Sequence, residues 1–250
     1  MYYYIFDPPQ GAKEYERVAQ IKETLSALGI AGEMATPSPG KSVEDIVSNA
    51  VSKRFSTIIA VGGIELINRV ACAVEPLDLV FGVIPFISHP DITKLTGASD
   101  WKSSAEQLRR RRWQEVRLGT IANQTCFITP ASITLPANSS FTVTAPSFNM
   151  TASSGTIQLT PIPSTKEGGV PTILLQLIPE PGKKTFIQKL LSKNELSNHF
   201  SQIGLEKMQI ITQEALPIVI AGIELGQSPC TVSASKHNLK LIVGAGRENS

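Results

Sequence analysis

The chain has 250 residues, 42% of them hydrophobic and 18% charged, with a formal net charge of +2. That length buries a substantial core, in one large domain or two small ones. The charge balance excludes a general nucleic-acid binder, and no apolar run approaches the roughly 20 residues of a membrane helix.

Residues 2–6, Tyr2-Tyr3-Tyr4-Ile5-Phe6, read as a first strand and not as a leader, since no basic segment precedes them and Pro8-Pro9 soon follows. Val18, Ile21, Leu25 and Leu28 recur at spacings of three and four, which predicts an amphipathic helix ending near Gly29. Ser42, with Glu44 and Asp45 in the first turn, caps a helix carrying Val43, Ile46, Val47 and Ala50. Strands are predicted over 57–61 and 79–84, with a helix over 65–74 between them. Ser103-Ser104-Ala105-Glu106 reads as a capping box opening a helix that ends in Arg109–Arg112. Repeated strand–helix units imply a parallel sheet covered on both faces.

After Trp113 the composition turns to Thr, Ser, Ile, Val and Pro. Short strands are predicted at 115–121, 125–128, 141–145, 156–160 and 172–178. They return at 205–212, 216–220, 230–234 and 239–243. One helix interrupts them, with Phe186, Ile187, Leu190 and Leu191 on one face. The expected fold class is an α/β N-terminal domain with a parallel sheet, residues 1–113, followed by a β-sandwich C-terminal domain, residues 114–250. The segment around 113–120 is expected to cross between them. Cys72, Cys126 and Cys230 lie far apart with no histidine at zinc-like spacing, so no metal site is expected. Three buried free thiols in a reducing, cytoplasmic compartment are expected instead.

The most informative stretch is Val61-Gly62-Gly63-Ile64-Glu65-Leu66, where an apolar strand runs into two glycines and a helix start. Glycine admits an anion close to backbone N–H groups, and the helix dipole favours it. Four more segments fall into order with it: Asp7-Pro8-Pro9-Gln10-Gly11, Val83-Ile84-Pro85, Lys166-Glu167-Gly168-Gly169-Val170, and Leu216 to Glu224 through Ala221-Gly222-Ile223. Ser228-Pro229-Cys230-Thr231-Val232 and Asn238 to Val243 continue as closing strands. In this order and spacing the chain resembles the diacylglycerol kinase catalytic-domain family, which shares its fold with NAD kinases.

The resemblance implies an enzyme that moves a phosphoryl group from ATP, with Mg²⁺, to a lipid hydroxyl. It implies a lipid or membrane surface as partner, a peripheral cytoplasmic location and, as an assembly to look for, a homo-oligomer. The family's Gly-Gly-Asp-Gly-Thr turn, which contacts nucleotide phosphate, is here Gly62-Gly63-Ile64-Glu65-Leu66. Asp7 and Gly11 match the family's Asn-Pro-x-x-Gly loop, with Asp for Asn. Asn68 matches an Asn beyond the turn that aids nucleotide binding. Phe86 to Asp91 has lost the Gly-Thr and the Asn of the family's second loop, and its prolines remove N–H donors. The family's Asp-Gly-Glu, source of a carboxylate that activates the lipid hydroxyl, is Ala221-Gly222-Ile223.

Each candidate residue also has a purely structural reading. Gly62 and Gly63 suit a tight turn, Asn68 a local hydrogen bond, and Glu65 the helix dipole. His89 suits a surface loop. Glu224 is a base displaced by one position, and one residue along a strand reverses its face. Glu167 and Glu224 are the nearby acids able to substitute for the lost carboxylates. Arg109–Arg112 suits anionic headgroups or a solvated helix end. Phosphoryl transfer needs positioned metal, phosphate-cradling amides and an oriented base, and the departures touch all three. Two classes of function compete: a lipid kinase, and a degenerate non-catalytic protein that binds or regulates. A NAD kinase-like phosphotransferase is a third and poorer fit, because the closing strands resemble the lipid branch.

Overall fold

The computed structural model describes residues 1–122, 125–136, 139–146, 148–162, 172–178 and 201–244. Its first sheet holds β1 (Tyr2–Phe6), β2 (Glu33–Ala35), β3 (Thr57–Gly62), β4 (Val80–Pro85), β5 (Trp113–Val116) and the last strand, β18 (Leu239–Ile242). The order is β2-β1-β3-β4-β18-β5. All neighbours are parallel except β5, which runs antiparallel to β18 at the edge.

Alternate residues of each central strand feed opposite cores, as the two-residue period of a strand requires. Tyr3, Ile5, Ile58, Ala60 and Phe81 pack under α2 (Val43–Ser52) and α3 (Ile64–Val74). Tyr4, Phe6, Ile59, Val61 and Ile84 pack under α1 (Ala12–Ala27) and α5 (Trp101–Arg110). Burial on both faces is why these strands read as unbroken apolar runs. A short helix, α4 (Pro90–Thr96), follows β4; proline at its start lacks only an N–H that a helix start leaves unpaired.

The rest of the chain forms two antiparallel sheets. One contains β6 (Gly119–Ile121), β7 (Thr125–Phe127), β9 (Phe141–Ala145), β10 (Phe148–Ala152), β14 (Lys207–Thr212) and β17 (Cys230–Ala234), in the order β10-β9-β14-β17-β6-β7. The other contains β8 (Ala131–Thr134), β11 (Thr156–Ile162), β12 (Thr172–Ile178), β13 (Ser201–Leu205), β15 (Pro217–Ile220) and β16 (Ile223–Gln227), in the order β13-β12-β11-β8-β15-β16. One apolar core lies between them, with Phe127, Phe141, Ile210 and Val232 meeting Ile133, Ile157, Leu175 and Ile218. Strands with one buried face alternate, as in β11 and β14.

The sheets do not follow the expected boundary at 113. β5 and β18 both lie in the first sheet, because β18 returns from the antiparallel sheets to pair with β4. The first sheet is therefore mixed and not purely parallel. The chain crosses between sheets at Arg117–Leu118 and back at 235–238. These crossings hold each other: the Arg117 guanidinium donates to Asn238 Oδ1 at 2.8 Å and to the Ser235 carbonyl at 2.9 Å. The strand expected over 115–121 splits into β5 and β6 for this reason. The strand expected over 205–212 is β14, beginning at Lys207, while Leu205 ends β13 in the other antiparallel sheet.

Other expectations shift at helix starts and cysteines. Helix α5 begins at Trp101, with Asp100 as its cap; Ser103 is the reciprocal partner in that box and not the cap. Cys72 and Cys126 are bonded to each other, with Cα atoms 5.8 Å apart, and Cys230 is the free cysteine. The expectation of three free thiols is thus corrected. The packing of α3 against β7 brings together two cysteines separated by 54 positions, which no local spacing reveals. The helix expected around Phe186 to Leu191 and the Lys166 to Val170 loop, with Glu167, lie outside the described residues. Among the described residues no helix is long and apolar enough to cross a membrane.

Candidate functional site

Three loops meet at the C-terminal ends of neighbouring parallel strands, the position where open α/β sheets bind ligands. β1 ends into Asp7, β3 into Gly62-Gly63, and β4 into Phe86. Backbone bonds lace the loops together: Asp7 N–H donates to the Val61 carbonyl at 2.9 Å, and Phe86 N–H to the Gly62 carbonyl at 3.1 Å. They border a cavity of about 460 Å³. Its far wall includes Ala221, from the β15–β16 hairpin of the antiparallel sheets. Ala221 and Gly222 both have positive φ, 48° and 90°, the geometry of a two-residue type I′ turn.

Gly63 caps α3, and its N–H donates to Asp7 Oδ2 at 2.7 Å. Gly62 has to be glycine: a Cβ there would collide with the Asp7 carboxylate, lying 2.7 Å from its Cβ and Cγ. Burial is the largest influence on Asp7 and raises its carboxyl above the usual range. The Gly63 amide opposes that shift, Glu65 and Glu14 reinforce it, and Arg69 opposes it. Glu14, on the first turn of α1, lines the same cavity and accepts from Gln10 N–H at 2.6 Å. His89 caps α4, its Nδ1 accepting from Asp91 N–H at 3.2 Å.

The bulky residues of the turn divide. Ile64 borders the cavity. Leu66, bulky where the family turn has Thr, does not crowd it: it is 3% exposed and packs into the core between α3 and the sheet. Phe86, 6% exposed, closes one side of the cavity from the α1–α5 core.

The predicted site residues separate. Asp7, Gly62 and Gly63 share the cavity. Gly11 caps α1, with Glu14 and Tyr15 N–H groups donating to its carbonyl at 3.0 Å, and does not line it. Asn68 is 4% exposed and has its polar atoms occupied. Its Nδ2 donates to the Ile64 carbonyl and to Thr129 Oγ1, both at 2.9 Å. Its Oδ1 accepts from Ile128 N–H at 2.8 Å and from Thr129 N–H at 3.3 Å. Glu224 lies on β16, exposed, accepting from Gln227 Nε2 at 2.8 Å. It borders a second concavity of about 390 Å³ with Asn68, Arg69 and Cys126. Glu65 lines both concavities. Sequence reasoning missed Glu14 as a cavity residue; its place on the first turn after Gly11 was the available signal.

No family model matches the sequence, and no curated protein matches it. Solved structures do. A crystal structure of a diacylglycerol kinase from Bacillus anthracis str. Sterne matches with a TM-score of 0.73 at 14% identity, covering 97% of each chain. A second diacylglycerol kinase structure from that organism matches with the same score and coverage at 13% identity. The chain has the diacylglycerol kinase fold. The diacylglycerol kinase fold thus extends through both the mixed sheet and the two antiparallel sheets, as the order of the sequence segments implies.

Proposed function

We propose that this protein is a lipid kinase-like protein that has lost phosphoryl transfer and acts by binding. On this reading its α/β part corresponds to a nucleotide-binding domain and its antiparallel sheets to a lipid-kinase-type β-sandwich domain. The observation that carries the proposal is the cavity where those parts meet. Ala221 stands on its wall at the position matched to the family's catalytic Asp-Gly-Glu, so a methyl group faces the space where a base is needed. Glu224, the displaced acid, borders the other concavity.

ATP and Mg²⁺ do not fit the described residues that line this cavity. The Gly63 amide is occupied by Asp7, and Glu14 and Glu65 add negative charge where phosphates would lie. Among the described residues no group of three or more His, Cys, Asp or Glu side chains is placed to hold a metal ion. What the cavity offers is an apolar wall of Ile64, Phe86, Ile87 and Ile92, with Ile87 76% exposed at its rim. Those surfaces suit a lipid-like body or a membrane surface as partner.

A diacylglycerol phosphorylation assay in mixed micelles with labelled MgATP tests the reading. We expect no labelled lipid above background under conditions where an intact diacylglycerol kinase is readily assayed. Losing a general base costs about 10²–10⁴-fold in rate, and lost metal support lowers it further. Sustained turnover would overturn the proposal.

A further inference from the structure

We propose that Asp7 is a built-in anion that occupies the amide cradle of the Gly62–Gly63 turn and sets the cavity against phosphate. The inference rests on the binding-only reading above and adds the residue that decides which charge the cavity accepts.

Two glycines between a strand and a helix are the strongest sign of a phosphate site in this sequence, and the structure accounts for them without phosphate. The Gly63 N–H, at the start of the eleven-residue α3, already donates to Asp7 Oδ2 at 2.7 Å. Gly62 is needed because the carboxylate lies against it: a Cβ there would be 2.7 Å from Asp7 Cγ. The carboxylate is held in place from its own backbone, whose N–H donates to Val61 on the adjoining strand at 2.9 Å. It thus takes the hydrogen bond and the helix-end position that a phosphate oxygen would use. Occupancy and charge act together. A phosphate entering the cradle must displace Asp7 or lie beside it, and Glu14 and Glu65 line the same cavity.

The carboxylate also gives the Gly63 N–H a partner at the start of α3. A helix start left without a partner exposes unpaired N–H groups, and a fixed carboxylate satisfies one of them.

The test uses the full-length protein and inorganic tripolyphosphate, which carries the charge of a nucleotide tail without its base. Wild type, Asp7→Asn and Asp7→Ser are compared by titration calorimetry, with folding checked by circular dichroism. Asn retains an oxygen for the Gly63 N–H and removes the charge; Ser removes both the charge and the reach. We expect affinity to rise by about 10-fold or more in Asp7→Ser and by less in Asp7→Asn. A second readout is independent of binding. In wild type the Gly63 amide proton resonance should shift with pH as Asp7 titrates, and it should lose that dependence in Asp7→Asn. Unchanged tripolyphosphate affinity in both variants, or a Gly63 amide indifferent to pH, overturns the proposal. The two readings fail separately. Lipid phosphorylation by wild type defeats the loss of catalysis, whereas equal affinities across the three proteins defeat the role of Asp7.

Discussion

Asn68→Ala should destabilise the protein by about 3 kcal/mol while leaving the cavity's ligand affinity unchanged. The magnitude follows from what the amide holds. Ile128 N–H donates to Asn68 Oδ1 at 2.8 Å, and Thr129 N–H donates to it at 3.3 Å. Ile128 is 3% exposed and Thr129 1%, so water cannot replace the lost acceptor. Each buried donor left without a partner costs about 1–3 kcal/mol, the longer bond toward the low end. The Nδ2 bond to Thr129 Oγ1, at 2.9 Å, adds a smaller amount, because that hydroxyl can rotate to another acceptor. These contacts tie α3 to the segment following β7, so the loss should appear in global unfolding. Urea denaturation followed by tryptophan fluorescence and circular dichroism measures it, and a cycle with Thr129→Val should give a coupling of about 0.5–1.5 kcal/mol. A loss below about 1 kcal/mol, with the two probes coincident, would refute the latch. Weakened ligand binding in a stably folded Asn68→Ala protein would return Asn68 to the site.

Other predictions test neighbouring residues. Asp7 is held above its ordinary carboxyl value when folded, so its ionisation subtracts from stability as pH rises through that folded value. Asp7→Asn should therefore raise the melting temperature at pH 7, with the gain fading as the pH falls toward about 4. The charged groups that act on Asp7 are Glu14 on α1 and Glu65 and Arg69 on α3; a gain that grows on acidification would contradict this. Gly62→Ala should cost about 2–3 kcal/mol, and much less in an Asp7→Gly background, because the collision is with the Asp7 side chain, its Cβ included. Ala221→Asn should stabilise by about 0.5–1 kcal/mol, since alanine at φ 48° is strained where asparagine is tolerated. Thiol titration in denaturant without reductant should count one free cysteine, Cys230. Reducing the Cys72–Cys126 bond, which closes a 54-residue separation, should lower stability by up to about 4 kcal/mol.

The parts of the fold legible in sequence were those written in local periodicity. β1, β3 and α2 follow directly from apolar runs and the Ser42 cap, and the segment order pointed to the diacylglycerol kinase fold that the solved structures match. What stayed hidden depends on contacts across the chain. β5 and β6 look like one strand because a change of sheet leaves no mark on side-chain alternation. β16 follows a turn whose Ala221-Gly222 lacks the usual asparagine. The Cys72–Cys126 bond and the Asn68 latch both join α3 to residues more than fifty positions away. At the site, the Gly62-Gly63 signal was visible, but its partner was not. Nothing in Asp7-Pro8-Pro9 announces that its carboxylate reaches across from one strand end to the next.

The central claim is that this cavity, on a lipid-kinase fold, does not hold a nucleotide. Titration of the wild-type protein with MgATP by calorimetry tests it most directly. The account predicts no saturable binding tighter than about 1 mM, near −4 kcal/mol. Saturable binding with a micromolar Kd would contradict it.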